Sequence, residues 1–201
     1  MAKASMDRNL ALEAARVTEA AALAASRLMG RGDEKAADQA AVDAMRRALN
    51  GLAIAAFPPR GTHEEYLAPT NPLTMWAYTD FSDPRWTFTY KYVLLQQQPG
   101  NKRPQKTGLF NQHTVGAYLL GSDLFVKKTI ADPKAKYPDF GCSYETYTAD
   151  TFLEMETLGP LVNLQPGQTA SHTERWSLYK NIKLSAKTDA AIDAAIGKYL
   201  K

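Results

Sequence analysis

A chain of 201 residues has room for one domain or for a domain with an appendage, and its 45% hydrophobic residues can form a sizeable core, which excludes wholesale disorder. The net charge of +3 is too mild to argue for nucleic acid or an anionic membrane, and no apolar run reaches the ~18 residues a membrane-crossing helix needs. The one cysteine, Cys142, excludes an internal disulfide and a cysteine-based zinc site, and suits a reducing compartment such as the cytoplasm, with a bacterial periplasm also compatible.

The N-terminal quarter is alanine-rich and charged, with sixteen alanines in residues 1–50 and no aromatic residue before Phe57. It lacks the basic head, apolar stretch and cleavage site of a secretory signal. Residues 7–29 are good helix formers with no Gly or Pro between them, so a helix is predicted there. Asp7 can cap its start, and Gly30 can supply the left-handed residue after its end. Asp33 fits as the N-cap of a second helix reaching about Asn50, with Val42, Met45 and Leu49 as its apolar stripe. Together these make an αα-hairpin over 1–50.

From Leu52 the pattern changes. Phe57-Pro58-Pro59-Arg60-Gly61 reads as an extended link. Seven β-like runs follow, at about 73–79, 86–96, 106–119, 124–130, 143–148, 151–158 and 171–180. Turn signals such as Ser82-Asp83-Pro84, Pro99-Gly100-Asn101 and Gln165-Pro166-Gly167 separate them. Such strands suggest an antiparallel sandwich or barrel over 51–186. Residues 187–201 end the chain as a short helix, with Thr188 as cap and Ile192, Ile196 and Leu200 on one face. The fold class expected is therefore α+β: a helical hairpin, an antiparallel β-sandwich-like domain and a C-terminal helix.

No phosphate-binding glycine loop, nucleophile elbow or paired-histidine metal motif is present. The most suggestive local feature is Phe152-Leu153-Glu154-Met155-Glu156-Thr157-Leu158. In a strand, Glu154 and Glu156 share one face with Phe152 and Leu158, while Leu153 and Met155 lie on the other. Burial of such a carboxylate would raise its pKa towards neutrality, as a general base requires; a solvent-facing or arginine-paired couple is the competing reading. His113 and His172 are candidate acid–base partners, and His172, Glu174 and Trp176 would share a strand face. Trp76 and Arg85 place an aromatic face and a hydrogen-bonding cation in a candidate sugar pocket, with Asp139 in a neighbouring loop; core and turn-capping roles compete with this. Lys102, Arg103 and Lys106 beside a Pro-Gly-Asn turn read as a solvated basic turn.

Two resemblances add to these readings. Met6-Asp7-Arg8-Asn9-Leu10, Arg16-Val17-Thr18-Glu19-Ala20-Ala21, Gly30-Arg31-Gly32-Asp33 and Ala37-Asp38-Gln39-Ala40-Ala41-Val42-Asp43-Ala44-Met45-Arg46 resemble the N-terminus of class II fructose-1,6-bisphosphatases over about 6–50. The resemblance implies metal-dependent hydrolysis of a sugar phosphate, with Asp38 as a metal ligand. That family's Gly-Glu-Gly-Glu and Asp-Pro-x-Glu-Gly stretches do not occur here, and one carboxylate cannot make a two-metal site. Ala68-Pro69-Thr70-Asn71-Pro72, Trp76-Ala77-Tyr78-Thr79-Asp80, Tyr137-Pro138-Asp139-Phe140-Gly141 and Glu154-Met155-Glu156-Thr157-Leu158-Gly159-Pro160 resemble the C-terminal half of an uncharacterised bacterial family with a galactose-mutarotase-like sandwich. This second resemblance implies carbohydrate binding, with weak aldose epimerase activity if Glu156 serves as base and His113 as acid; a non-catalytic module that binds a sugar or a protein is the alternative. Trp76, Arg85, Asp139, Glu154 and His172 would line the pocket.

The expectations are a small-molecule sugar as ligand, no resident cofactor, and neither nucleic acid nor membrane as partner. The N-terminal segments that complete such a sandwich are missing. Open sheet edges and an uncovered apolar face are therefore expected, and these favour a homo-oligomer.

Overall fold

The computed structural model describes residues 51–59, 70, 73–150 and 152–201. The predicted hairpin, with Asp38, lies outside the described residues. Within Gly51–Lys201, ten strands form two antiparallel sheets, with short helical segments at the C-terminal end.

The larger sheet has six strands in the order β10-β7-β6-β1-β4-β3. Its members are β1 (Leu52–Ala56), β3 (Trp86–Phe88), β4 (Tyr92–Gln96), β6 (His113–Leu120), β7 (Asp123–Ile130) and β10 (Arg175–Tyr179). The smaller sheet has the order β2-β5-β8-β9, from β2 (Thr74–Met75), β5 (Gln105–Leu109), β8 (Tyr144–Thr148) and β9 (Leu153–Thr157).

Period-two alternation splits the large sheet's side chains between two cores. On one face Leu52, Ile54, Tyr92, Leu94, Val115, Ala117, Leu119, Leu124 and Val126 pack with Ile182, Ile192 and Ile196. On the other, Ala53, Ala55, Val93 and Leu95 meet Leu109 and Tyr144 of the small sheet, with Trp86 beside them. Alanines on that side of β1, and Gly116 on β6, let the sheets approach closely. A Cβ on Gly116 would lie 2.5 Å from Cε2 of the Tyr144 ring.

The C-terminal segment runs as α1 (Asp189–Ile192), a π-helical turn (Asp193–Gly197) and α2 (Lys198–Leu200). Thr188 caps it as expected, its Oγ1 accepting from Ala191 N at 3.4 Å. Ile192 and Ile196 are fully buried, and burial of each side chain stabilises by roughly 1.5–3 kcal/mol. The Asp189 carboxylate accepts from the backbone N–H groups of Tyr90 and Lys91, and Asp193 accepts from Tyr92 OH at 2.6 Å. Tyr179 and Tyr199 stack at 3.9 Å between centroids.

Several expectations need correction. The predicted run 86–96 is two strands, because Thr89, Tyr90 and Lys91 make the turn held by Asp189. The run 106–119 also breaks, at Phe110–Gln112, where the chain leaves the small sheet for the large one. Asn111 fixes this corner: its Nδ2 donates to Ala56 O at 3.0 Å and its Oδ1 accepts from His113 N at 3.0 Å. Strand β1, in the middle of the large sheet, was not predicted. The apolar face expected to be bare is covered, since the small sheet and the C-terminal segment pack on opposite faces of the large one.

Candidate functional site

The outward face of the small sheet gathers charge around Lys106. Register places Glu145 opposite Gly108 on one side and opposite Glu156 on the other, so β5, β8 and β9 present these groups in a row. Gly108 has no side chain to fill that row, Cys142 Sγ takes the space where its Cβ would stand, and Lys106 reaches Glu145 from the same strand. Its Nζ donates to Glu145 Oε2 at 2.6 Å, lies 3.6 Å from Glu156 Oε1, and stands 4.7 Å from the centroid of the Trp76 ring. Glu154 and Glu156 share the outward face, as the alternation predicts, while Leu153 and Met155 pack inward.

Glu145 is 1% exposed. Burial pushes its pKa up to about 7; the Lys106 ammonium pulls it down, and the neighbouring Asp139 carboxyl raises it again. Among the described residues, its Oε1 has no hydrogen-bond donor. Burial works against the charge of Lys106, but the bond to Glu145 and the nearby carboxylates outweigh it, so its pKa lies above the ordinary lysine value. Burial, then the charge of Glu156, raises the pKa of Glu154. Beside the cluster Asp139, Phe140 and Gly141 all have positive φ, of 49°, 61° and 97°. This sharp turn brings the Asp139 carbonyl within 3.0 Å of Cys142 Sγ. Burial pushes the Cys142 thiol up to about 11, which leaves it a poor nucleophile. What the arrangement offers is a buried carboxyl that exchanges a proton near neutral pH beside a fixed cation.

A second polar group bridges β9 and β10. Thr157 Oγ1 donates to Glu174 Oε1, and His172 Nε2 lies 2.8 Å from that same hydroxyl. With the hydroxyl proton directed at Glu174, His172 Nε2 is the donor to Thr157. Trp176 Nε1 donates to Glu174 Oε2 at 2.7 Å, and Lys127 Nζ lies 2.9 Å from Oε1. Burial would raise the Glu174 pKa, but these three donors outweigh it and hold it at about 2.

The predicted site residues therefore divide into three places. Trp76, Asp139, Glu154 and Glu156 surround Lys106 and Glu145. His113 and His172 line a separate cleft that includes neither glutamate. Arg85 is no pocket residue: it is buried in a bidentate pair with Asp83 at 2.9 and 2.8 Å, and it donates to Arg103 O at 2.6 Å. Sequence reasoning missed Lys106 and Glu145, the centre of the first group. Lys106 is a strand residue 16% exposed and not part of a solvated turn. The alternation of Lys106 and Gly108 on one strand face was the available signal.

Among the described residues, no group of three or more His, Cys, Asp or Glu side chains is placed to hold a metal ion. Nor, among them, is any helix long and apolar enough to cross a membrane.

The family model described as bacterial fructose-1,6-bisphosphatase, glpX-encoded, matches residues 8–69. The N-terminal region is similar to class II fructose-1,6-bisphosphatases. Fructose-1,6-bisphosphatase class 2 of Haemophilus influenzae is 67% identical over 45 residues, which are 22% of this chain and 14% of that protein. The D-fructose 1,6-bisphosphatase class 2/sedoheptulose 1,7-bisphosphatase of a Synechococcus strain, JA-2-3B'a(2-13), is 60% identical over 47 residues, 23% of this chain and 14% of that protein. The enzyme of the same name from strain JA-3-3Ab matches to the same extent. The matched part of the chain thus spans about one seventh of the length of these curated relatives. No solved structure matches the chain.

These findings overturn the carbohydrate-binding, mutarotase-like and isomerase reading of residues 54–180. The family likeness that is found is to phosphatases, and none of the comparisons supports a mutarotase-like relative. The geometry adds that Glu156 is paired with Lys106, while His113 lies in another cleft.

Proposed function

We propose that this chain acts on a sugar bisphosphate in the manner of class II fructose-1,6-bisphosphatases, hydrolysing a phosphate monoester, with segment 8–69 carrying the activity. The observation that supports this reading is the 67% identity over 45 residues with the Haemophilus influenzae enzyme. The relatives' names give fructose 1,6-bisphosphate and sedoheptulose 1,7-bisphosphate as their substrates, and the same class of substrate is proposed here.

The resemblance implies divalent metal, and phosphoryl chemistry of that kind needs several oxygen ligands. The described residues do not fit such a site. The carboxylates that could supply it fall in the matched segment, which holds Asp38, Glu64 and Glu65 and lies largely outside the described residues. Because two ligand-bearing stretches of the family are missing, turnover is expected to be slow. The β unit contributes a folded platform to this reading and no metal ligand.

The test is release of inorganic phosphate from fructose 1,6-bisphosphate by the full chain in magnesium or manganese. Slow, metal-dependent release that Asp38→Asn abolishes supports the proposal. A folded chain that releases no phosphate with either metal overturns it.

A further inference from the structure

The cleft that holds the two histidines has a composition the phosphatase likeness does not explain. It lies where the ends of β6, β7 and β10 meet the 159–173 loop and the last residues of the chain, and its volume is about 810 Å³. Among the described residues, its ionisable side chains are His113, Lys128, His172, Arg175 and Lys201, together with Tyr179, and no Asp or Glu lines it. Ser171, Thr173 and Ser177 add hydroxyls to this lining, whereas Thr114 Oγ1 and Thr129 Oγ1 already donate to the backbone carbonyls of Asn111 and Thr173.

Register explains the charge. Arg175 lies directly opposite Lys128 on the neighbouring strand, and Lys128 is opposite Val115 on the other side. Like charges directly opposite in a sheet repel. Lys127, one residue earlier and on the other face, has its carboxylate partner in Glu174. Arg175 has none among the described residues, and Lys128 donates to the main-chain oxygen of Lys201. Burial, then the charge of Arg175, lowers the pKa of Lys128.

We propose that this cleft binds a small phosphorylated metabolite, its phosphate monoester held between Lys128 and Arg175 with Ser and Thr hydroxyls as further donors. A guanidinium fork beside an ammonium suits a tetrahedral dianion, since Arg supplies paired donors and Lys a compact charge. A cleft whose charged side chains are mostly cationic also concentrates anions. The volume is that of a small-molecule site, and the net charge of +3 is low for a polyanion such as nucleic acid. Binding here needs no metal, so the proposal stands apart from the chemistry of segment 8–69.

The test is calorimetric titration of the full chain with fructose 1,6-bisphosphate and with inorganic phosphate, at low salt in EDTA. Binding that weakens about tenfold or more in Arg175→Ala and in Lys128→Met supports the site. Substitution of the exposed Lys134 by Ala, away from the cleft, should leave the affinity within about twofold. No binding by the folded chain, equal losses in all three variants, or displacement of the sugar phosphate by a single-stranded oligonucleotide would each overturn the proposal. Phosphate release in magnesium or manganese reports on segment 8–69, whereas binding in EDTA reports on the cleft, so the two proposals fail separately.

Discussion

Replacing Lys106 by Met tests whether the buried pair on the small sheet is organised as its geometry implies. The substitution keeps most of the side chain's volume over Trp76 but leaves the Glu145 carboxylate, 1% exposed, without its cation at 2.6 Å. Removing one partner of a buried pair costs roughly 3–5 kcal/mol when the other stays charged. Glu145 has an escape, because it can take up a proton. Its folded pKa is already about 7, above the ordinary value of 4.5, so the native state holds the proton more tightly than the unfolded chain does. Stability from this group is thus fully present below about pH 4.5 and is lost as pH rises through the folded pKa. Without Lys106 that pKa moves higher still, and the loss continues past pH 7. Each further unit is worth about 1.4 kcal/mol. The expected penalty is therefore about 1 kcal/mol at pH 5, rising to about 3–4 kcal/mol at pH 9. Urea unfolding followed by tryptophan fluorescence at both pH values measures it. Adding Glu145→Gln to the variant should remove the pH dependence. A penalty equal at pH 5 and pH 9 would show that Glu145 does not sense Lys106, and the reasoning would be wrong.

Three further outcomes are expected. Glu174, held at about 2, gives stability that is present above its unfolded value near 4.5 and lost as pH falls; Glu174→Gln should flatten the acid limb by about 1–2 kcal/mol after solvent screening, read from urea midpoints between pH 5 and pH 2.5. Gly116→Ala puts a Cβ 2.5 Å from Cε2 of the buried Tyr144 ring and should cost about 1–3 kcal/mol, seen as a drop of several degrees in the melting temperature; an unchanged melt would mean the sheets part without strain. Cys142, buried and pushed up to about 11, should resist iodoacetamide at pH 8 in the native protein and react once urea unfolds it, and fast native labelling would contradict the assigned burial.

How far the sequence could be read depended on whether a signal was local. Strand β9 was legible to within two residues at its start and one at its end, because alternation of Leu153, Glu154, Met155 and Glu156 is itself the two-faced pattern the sheet imposes. The C-terminal helix and its Thr188 cap were legible for the same kind of reason. Strand β1 was not, since Leu-Ala-Ile-Ala-Ala has weak strand propensity and is a strand only because β4 and β6 bury it on both sides. The corner at Asn111 depends on a hydrogen bond to Ala56, fifty-five positions away, which no local pattern announces.

The site residues follow the same logic. Glu154 and Glu156 could be placed on one face from spacing, but the group that gives them a chemical setting, Lys106 with Glu145, is assembled by register across three strands. Arg85 was misread because its partner Asp83 is two residues away, where a turn and a buried ion pair look alike in sequence. The two histidines show the converse. His113 and His172 are far apart in the chain and meet in a cleft whose character comes from Lys128 and Arg175, residues that alternation alone would leave on a solvated strand. Lys127 and Lys128 are adjacent and chemically identical, yet one is neutralised by Glu174 and the other faces a second cation. That difference comes from which side of β7 each lysine occupies. It is also why the cationic cleft, and not the paired glutamates, is the place in this unit where an anion would be held.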